Sequence, residues 1–244
     1  MFEGLDDINW GQFGDTHIAI GMKTQEIPGC IRNMLHEDPD EREYAIASLL
    51  GEGQHLGMLD KATPYIIPYV LEVLADKDYE QRGYLILGLA LMFDHMFRSE
   101  SFDHLRLATQ IYDEIKKGYP LYKRLLSDTE KEVRLFTAQV IGYMQDNSVD
   151  AIASLLAQLA VEIAGEVRRE IITAMLKLVK DSLSPYTDEG RQSVVSLYDY
   201  LKDNGSFEEQ VQLARALKQI HFIHDKDINS FVQQILARAD STEK

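Results

Sequence analysis

Leu121-Tyr122-Lys123-Arg124-Leu125-Leu126-Ser127-Asp128-Thr129-Glu130-Lys131-Glu132-Val133-Arg134-Leu135-Phe136-Thr137-Ala138 carries the clearest fold signal in the chain. An apolar segment from Leu121 to Leu126 meets a turn at Ser127-Asp128, and a second apolar segment resumes at Glu132-Val133-Arg134. Apolar residues recur at three- and four-residue spacing on both sides, which predicts two helices. Ser or Asp in the turn can cap the second helix, and acidic residues in its first turn favour the helix dipole. The arginine just inside that helix can reach an acidic turn, its own or that of an adjacent pair.

The same order recurs outward along the chain. Ile27 to Leu35 is followed by Glu37-Asp38-Pro39-Asp40-Glu41 and then Arg42 with Tyr44, Ala45, Ile46, Leu49 and Leu50. Pro64 to Leu74 turns at Asp76-Lys77-Asp78 and resumes at Arg82 with Tyr84, Leu85, Leu87 and Leu89. Ile152 to Ala160 precedes Glu166-Val167-Arg168. The marker arginines at 42, 82, 134 and 168 are 40, 52 and 34 residues apart, the length of a helix pair with room for a loop or an extra helix. In Pro64–Leu74, Ile67, Val70, Leu71 and Leu74 form one stripe, and both Pro64 and Pro68 are expected in the first turns, where a missing N–H costs least. Val194 to Leu201, Phe207 to Ile220 and Ile228 to Ala237 read the same way. Period-two alternation is scarce, so the chain is expected to be all-α. A ladder between adjacent pairs is preferred to a catalytic role for the arginines.

The run Asp128 to Arg134 with Thr137-Ala138 resembles a HEAT repeat. Ile27 to Leu89 resembles the front of a group of bacterial HEAT-repeat proteins, in which an acidic DP-x-x-R-E turn is followed by a His- and Gly-bearing loop and then AT-x-P. Here these are Asp38-Pro39-Asp40-Glu41-Arg42-Glu43, then His55 and Gly57, then Ala62-Thr63-Pro64. The loop itself, Gly51-Glu52-Gly53-Gln54-His55-Leu56-Gly57-Met58, lacks the tryptophans of that group. The resemblance implies one α-solenoid domain over 1–244, built of stacked HEAT-like helical hairpins whose second helices line a concave side. Residues 1–26 would be an N-terminal cap packed through Trp10 and Phe13, residues 27–183 the recognisable repeats, and residues 184–240 the C-terminal helices. The end, Asp240 to Lys244, is expected to be frayed.

Composition restricts the function classes. Forty acidic residues against 25 basic ones give a net charge of -15. Phosphate recognition needs a positive footprint, so nucleic acid is not the expected partner, and an anionic membrane surface is disfavoured for the same reason. Cys30 is the only cysteine, which leaves no disulfide framework and no Cys-based zinc site. The opening residues lack a basic, then apolar, secretory leader, and no apolar run approaches a membrane span. A cytoplasmic protein is the expectation.

No constellation points to catalysis. His221 and His224 lie three apart on one helical face, but H-E-x-x-H is absent, and a helix terminus with histidines facing its dipole is the preferred reading. The Asp38-Pro39-Asp40 run has Arg42 at the fifth position of a calcium loop and lacks the sixth-position glycine. Asp94-His95 and Asp103-His104 are adjacent pairs, which diverge on a helix. G-x-S-x-G and the phosphate-binding glycine loop are absent. Cys30, among Ile27, Ile31 and Met34, is expected to be a buried, inert thiol. No metal and no cofactor are expected.

The charge is polarised. Residues 1–60 carry 12 acidic and 3 basic residues, and residues 1–122 carry 21 and 10, leaving 19 and 15 for the remainder. This points to a non-catalytic, protein-binding scaffold whose acidic half steers a basic partner. Its anchors are expected at Glu43, Glu52, His55, Tyr84, Asp94 and Glu132, on the second helices and their loops. The most specific form is an immunity protein that neutralises a basic toxin or effector, such as a nuclease, by covering its cationic cleft. Two other classes stay open: a HEAT-like enzyme of the DNA-glycosylase or bilin-lyase type, or a structural adaptor or homo-oligomer.

Overall fold

The computed structural model describes residues 1–14, 23–50, 59–96, 102–183, 187–219 and 225–242. It is all-helical, with twelve α-helices and no strand among the described residues. The residues group into two compact units, Met1–Val140 and Ile141–Lys244.

The first unit holds α1 (Ile27–Asn33), α2 (Pro39–Leu50), α3 (Thr63–Leu74), α4 (Arg82–Met96), α5 (Phe102–Lys117), α6 (Tyr119–Leu125) and most of α7 (Lys131–Ile141). Asp38 starts α2 as expected: its Oδ1 accepts the Asp40 N–H at 3.0 Å, and Pro39 occupies the first helical position. α1 packs on α2 and α3, and α2 packs on α4, so two helix pairs lie side by side. α2 and α4 approach closely at Gly88, where a Cβ would sit 2.6 Å from Leu50 Cδ1 and force that side chain to shift. The core is apolar, built on Ile27, Ile31, Met34, Ile46, Leu49, Ile66, Ile67, Leu74, Leu85, Leu89 and Phe93. Tyr79 ties the α3–α4 turn to the end of α1 by donating to the Met34 carbonyl at 2.7 Å, and burial pushes its phenol up to about 12.

Two expectations for this unit need correction, those for Pro68 and Cys30. Pro68 lies inside α3 rather than in its first turn; its side is exposed, where water can replace the lost backbone bond. The 52-residue interval contains the extra helix it leaves room for, and that helix, α5, packs on α3. Trp10 is buried, with its indole N–H on the Leu5 carbonyl, while Phe13 is half-buried against Tyr65 of α3. Cys30 is only half-buried, because α1 is short and its outer side is open. Burial, then the Glu26 carboxylate, raise its pKa, which disfavours the thiolate.

The second unit holds α8 (Ser148–Val161), α9 (Gly165–Leu178) with a π-turn at Val179–Leu183, α10 (Asp188–Asn204), α11 (Phe207–Gln219) and α12 (Lys226–Thr242). α8 pairs with α9, α10 lies on α8, α11 lies on α9, and α12 covers α11. The expected fraying from Asp240 is not seen through Thr242, where the Ser241 and Thr242 hydroxyls donate to the Arg238 carbonyl.

Candidate functional site

The marker arginines make two kinds of contact, and Arg42 and Arg168 make both. Arg42 donates to the carbonyls of His36 and Glu37 at 3.0 and 3.2 Å, and Arg134 donates to those of Asp128 and Thr129 at 2.8 and 3.1 Å. Arg168 does the same for Glu162 and for Leu159, which lies in the last turn of α8. These oxygens lie at or just past a helix C-terminus, where intrahelical donors run out and a cation is favoured. Arginine suits this role because its planar fork offers five donors in fixed directions.

The other kind is a forward link. Arg42 Nη2 reaches Glu80 at 2.7 Å and its Nε reaches Gln81 at 2.9 Å, both in the turn before α4. Gln81 in turn donates to the Pro39 carbonyl. Arg82 grips Asp128 with two nitrogens at 2.6 and 3.1 Å and Glu130 at 2.7 Å, both in the turn before α7. In the second unit Arg168 grips Glu209 of α11 at 2.6 and 3.2 Å and stacks beside Tyr200. Glu209 also closes a reciprocal cap, accepting the Ser206 N–H while Ser206 Oγ accepts the Glu209 N–H. Burial pushes the Glu209 carboxyl up, but the Arg168 and Ser206 bonds outweigh it and the net pKa is lowered. Arg168 is held charged, chiefly by its bond to Glu209. Spacing along the chain locates the arginines; it does not reveal that they reach forward, nor that Glu209 is a partner. The Ser206-x-x-Glu209 pattern is the signal that could have found it.

The candidate anchors scatter over the second helices. Glu43 is exposed on α2, beside Tyr44, which is 70% exposed. Tyr84 is half-exposed in the first turn of α4, and Glu132 is exposed in the first turn of α7. These two turns touch, since a Cβ on Gly83 would meet Glu132 Cβ at 3.4 Å. Asp94 lies on α4, but its side chain, like all of Glu52, His55, His221 and His224, falls outside the described residues. His104 has a structural role, its Nε2 donating to the carbonyls of His95 and Met96 at the end of α4. Among the described residues no group of three or more His, Cys, Asp or Glu is placed to hold a metal ion, and no helix is long and apolar enough to cross a membrane.

Two grooves stand out. One, of about 740 Å³, runs between α3 and α5 with the N-terminal segment at its end; Tyr65, Pro68 and Tyr69 form one wall, and Asp113, Glu114 and Lys117 the other. The second, of about 680 Å³, lies between α9, α11 and α12 over Leu176, Phe207, Val211 and Ala239. The first carries Glu3, Glu72, Asp113 and Glu114 against Lys117 alone, and is therefore anionic. Comparison with family models, with curated proteins and with solved structures gives no match to this chain.

Proposed function

We propose that this chain is a non-catalytic, protein-binding scaffold of stacked HEAT-like hairpins, and that the acidic surface of residues 1–140 receives a basic protein partner. The observation that carries this reading is how charges are paired within the first unit. It has 24 acidic and 14 basic residues. Arg32 is engaged by Asp6, Arg42 by Glu80, Arg82 by Asp128 and Glu130, and Lys117 by Glu114. Glu37, Asp40, Glu41 and Glu43 stand exposed around the start of α2 with no ion pair among the described residues; Lys23, Lys61, Lys77 and Arg124 are exposed cations that also lack one, so the acidic excess of the unit is not cancelled by pairing. A field of one sign on a preformed surface accelerates encounter with an oppositely charged protein and fixes its orientation. Helices linked by arginine forks lose little freedom on docking, which favours affinity. The specific form we favour is an immunity protein whose carboxylates imitate phosphates toward the cationic cleft of a toxin.

The test is affinity capture from a lysate of the source organism at about 50 and about 500 mM salt, a range over which exposed charge pairs are progressively screened. A basic protein retained at low salt, released at high salt, and lost when Glu37, Asp40, Glu41 and Glu43 are all changed to lysine supports the reading. Capture that ignores both salt and the four substitutions overturns it.

A further inference from the structure

The groove between α3 and α5 is not merely acidic. Tyr65, Pro68 and Tyr69 follow one another along α3 at one- to four-residue steps, so rigid rings form a continuous wall. Tyr65 is 44% exposed and packs against Phe13 at a tilt, with ring centroids 4.7 Å apart. Tyr69 is buried and braced edge-on by Phe2 at 5.9 Å. Both rings therefore have an aromatic neighbour in place.

The opposite wall supplies charge. Lys117, the single cation among the residues lining the groove, is engaged by Glu114 at 2.6 and 2.7 Å, and Glu72 accepts the Phe2 N–H at 2.9 and 3.0 Å. Glu3 and Asp113 remain exposed with no side-chain hydrogen bond or ion pair among the described residues. Burial, and after it the Glu72, Asp7 and Asp6 carboxylates, raise the pKa of the Tyr69 phenol, which is the local negative field acting on a group inside the groove.

We infer that this groove is the seat of an extended, cationic polypeptide segment, with an arginine or lysine stem lying against Tyr65 and Pro68 and its charged head between Glu3 and Asp113. Aromatic faces attract cations through the ring quadrupole, and long basic side chains cover apolar surface while keeping their heads on carboxylates. The inference rests on the acidic-docking reading above and gives that surface a particular address.

Fluorescein-labelled octa-arginine, titrated into the full chain and followed by anisotropy, tests it. Glu3→Gln with Asp113→Asn is expected to weaken binding about three- to tenfold, as two rim charges on a flexible cation do. Tyr65→Ala weakens it about threefold and Tyr65→Phe restores it, since the ring and not the hydroxyl is used. Glu189→Gln with Asp199→Asn, exposed acids of the second unit, serve as the control pair and change binding less than about twofold. Thermal unfolding of each variant separates lost binding from lost fold. If Glu41→Gln with Glu43→Gln, on the α2 surface, weakens binding and the groove pair does not, the groove assignment falls and the acidic-docking reading stands. Equal weakening by the groove and control pairs also removes the groove. If neither the groove pair nor the α2 pair has an effect, or the peptide does not bind, both readings fall.

Discussion

Arg82 in the first unit and Arg168 in the second solve the same problem with different components. Arg82 commits its fork to two carboxylates of the following turn, in a site where its own side chain is 7% exposed and that of Asp128 is 9%. Its Nε is buried with no partner. Arg168 divides its fork between one carboxylate, Glu209, and two carbonyls at the end of α8, with the Tyr200 ring alongside. The first node is therefore a charge cluster, in which Asp128 also accepts the Glu130 N–H at 2.9 Å. The second is a distributed one, in which capping and stacking contribute beside the ion pair. Buried ion pairs are costly to break on one side and cheap to replace on both. Capping bonds behave independently of the charge they accompany.

The largest effect is expected at Arg82. Arg82→Ala strands the Asp128 carboxylate in the interior, and a loss of roughly 3–5 kcal/mol in urea unfolding is expected. The pair Arg82→Met with Asp128→Leu should lose far less than either change alone, because no buried charge is left over. A double variant as unstable as the singles would show that Arg82 acts as a packing element instead.

Arg168→Ala is the next largest, with an expected loss of about 2–3 kcal/mol, since charged hydrogen bonds are each stronger than neutral ones but here several survivors remain. Arg168→Lys recovers only part of this: a point charge reaches Glu209 but cannot also serve Leu159 and Glu162. Full recovery by lysine would mean that the carbonyl bonds contribute nothing.

Acid unfolding separates the two nodes further. The folded pKa of Glu209 is depressed, so its contribution is complete above the unfolded glutamate value of about 4.3 and is lost as pH falls through the folded value. Chemical unfolding of the wild type should weaken across that acid window. Glu209→Gln should start lower at neutral pH and show a shallower acid slope. An unchanged slope would remove Glu209 from the linkage.

The smallest effect is expected at Arg42. Its partner Glu80 is 77% exposed, so Glu80→Ala should cost under about 1 kcal/mol and vanish in high salt. The Gln81 bridge and the two carbonyl bonds of Arg42 survive that change.

Local chemistry is legible in the residues. Helix-period apolar spacing, Asp38 as a cap, the acidic turns and the four arginines follow from interactions within a few positions, and the helical class follows with them. Pro68 falls a turn later in its helix than spacing predicts, because the cost of a missing N–H can be read locally while access of water to the freed carbonyl cannot. Cys30 is more open than its apolar neighbours imply, because those neighbours are visible in sequence and the open side of a two-turn helix is not. Part of the candidate site is of the same local kind: Glu43, Tyr84, Asp94 and Glu132 stand on α2, α4 and α7. The groove escapes such a reading, because Glu3, Tyr65 and Asp113 are separated by 62 and 48 positions.

The order of amino acids thus fixes the helices, their caps and the excess of negative charge. Folding in three dimensions settles the rest: which turn each arginine reaches, that α5 takes the place beside α3, and which carboxylates are left facing solvent. The difference is one of range. Backbone preference and capping act over one helical turn, whereas a fork of five N–H donors is satisfied by whichever oxygens packing brings within about 3 Å, and packing is set by the shapes of residues far apart in the chain.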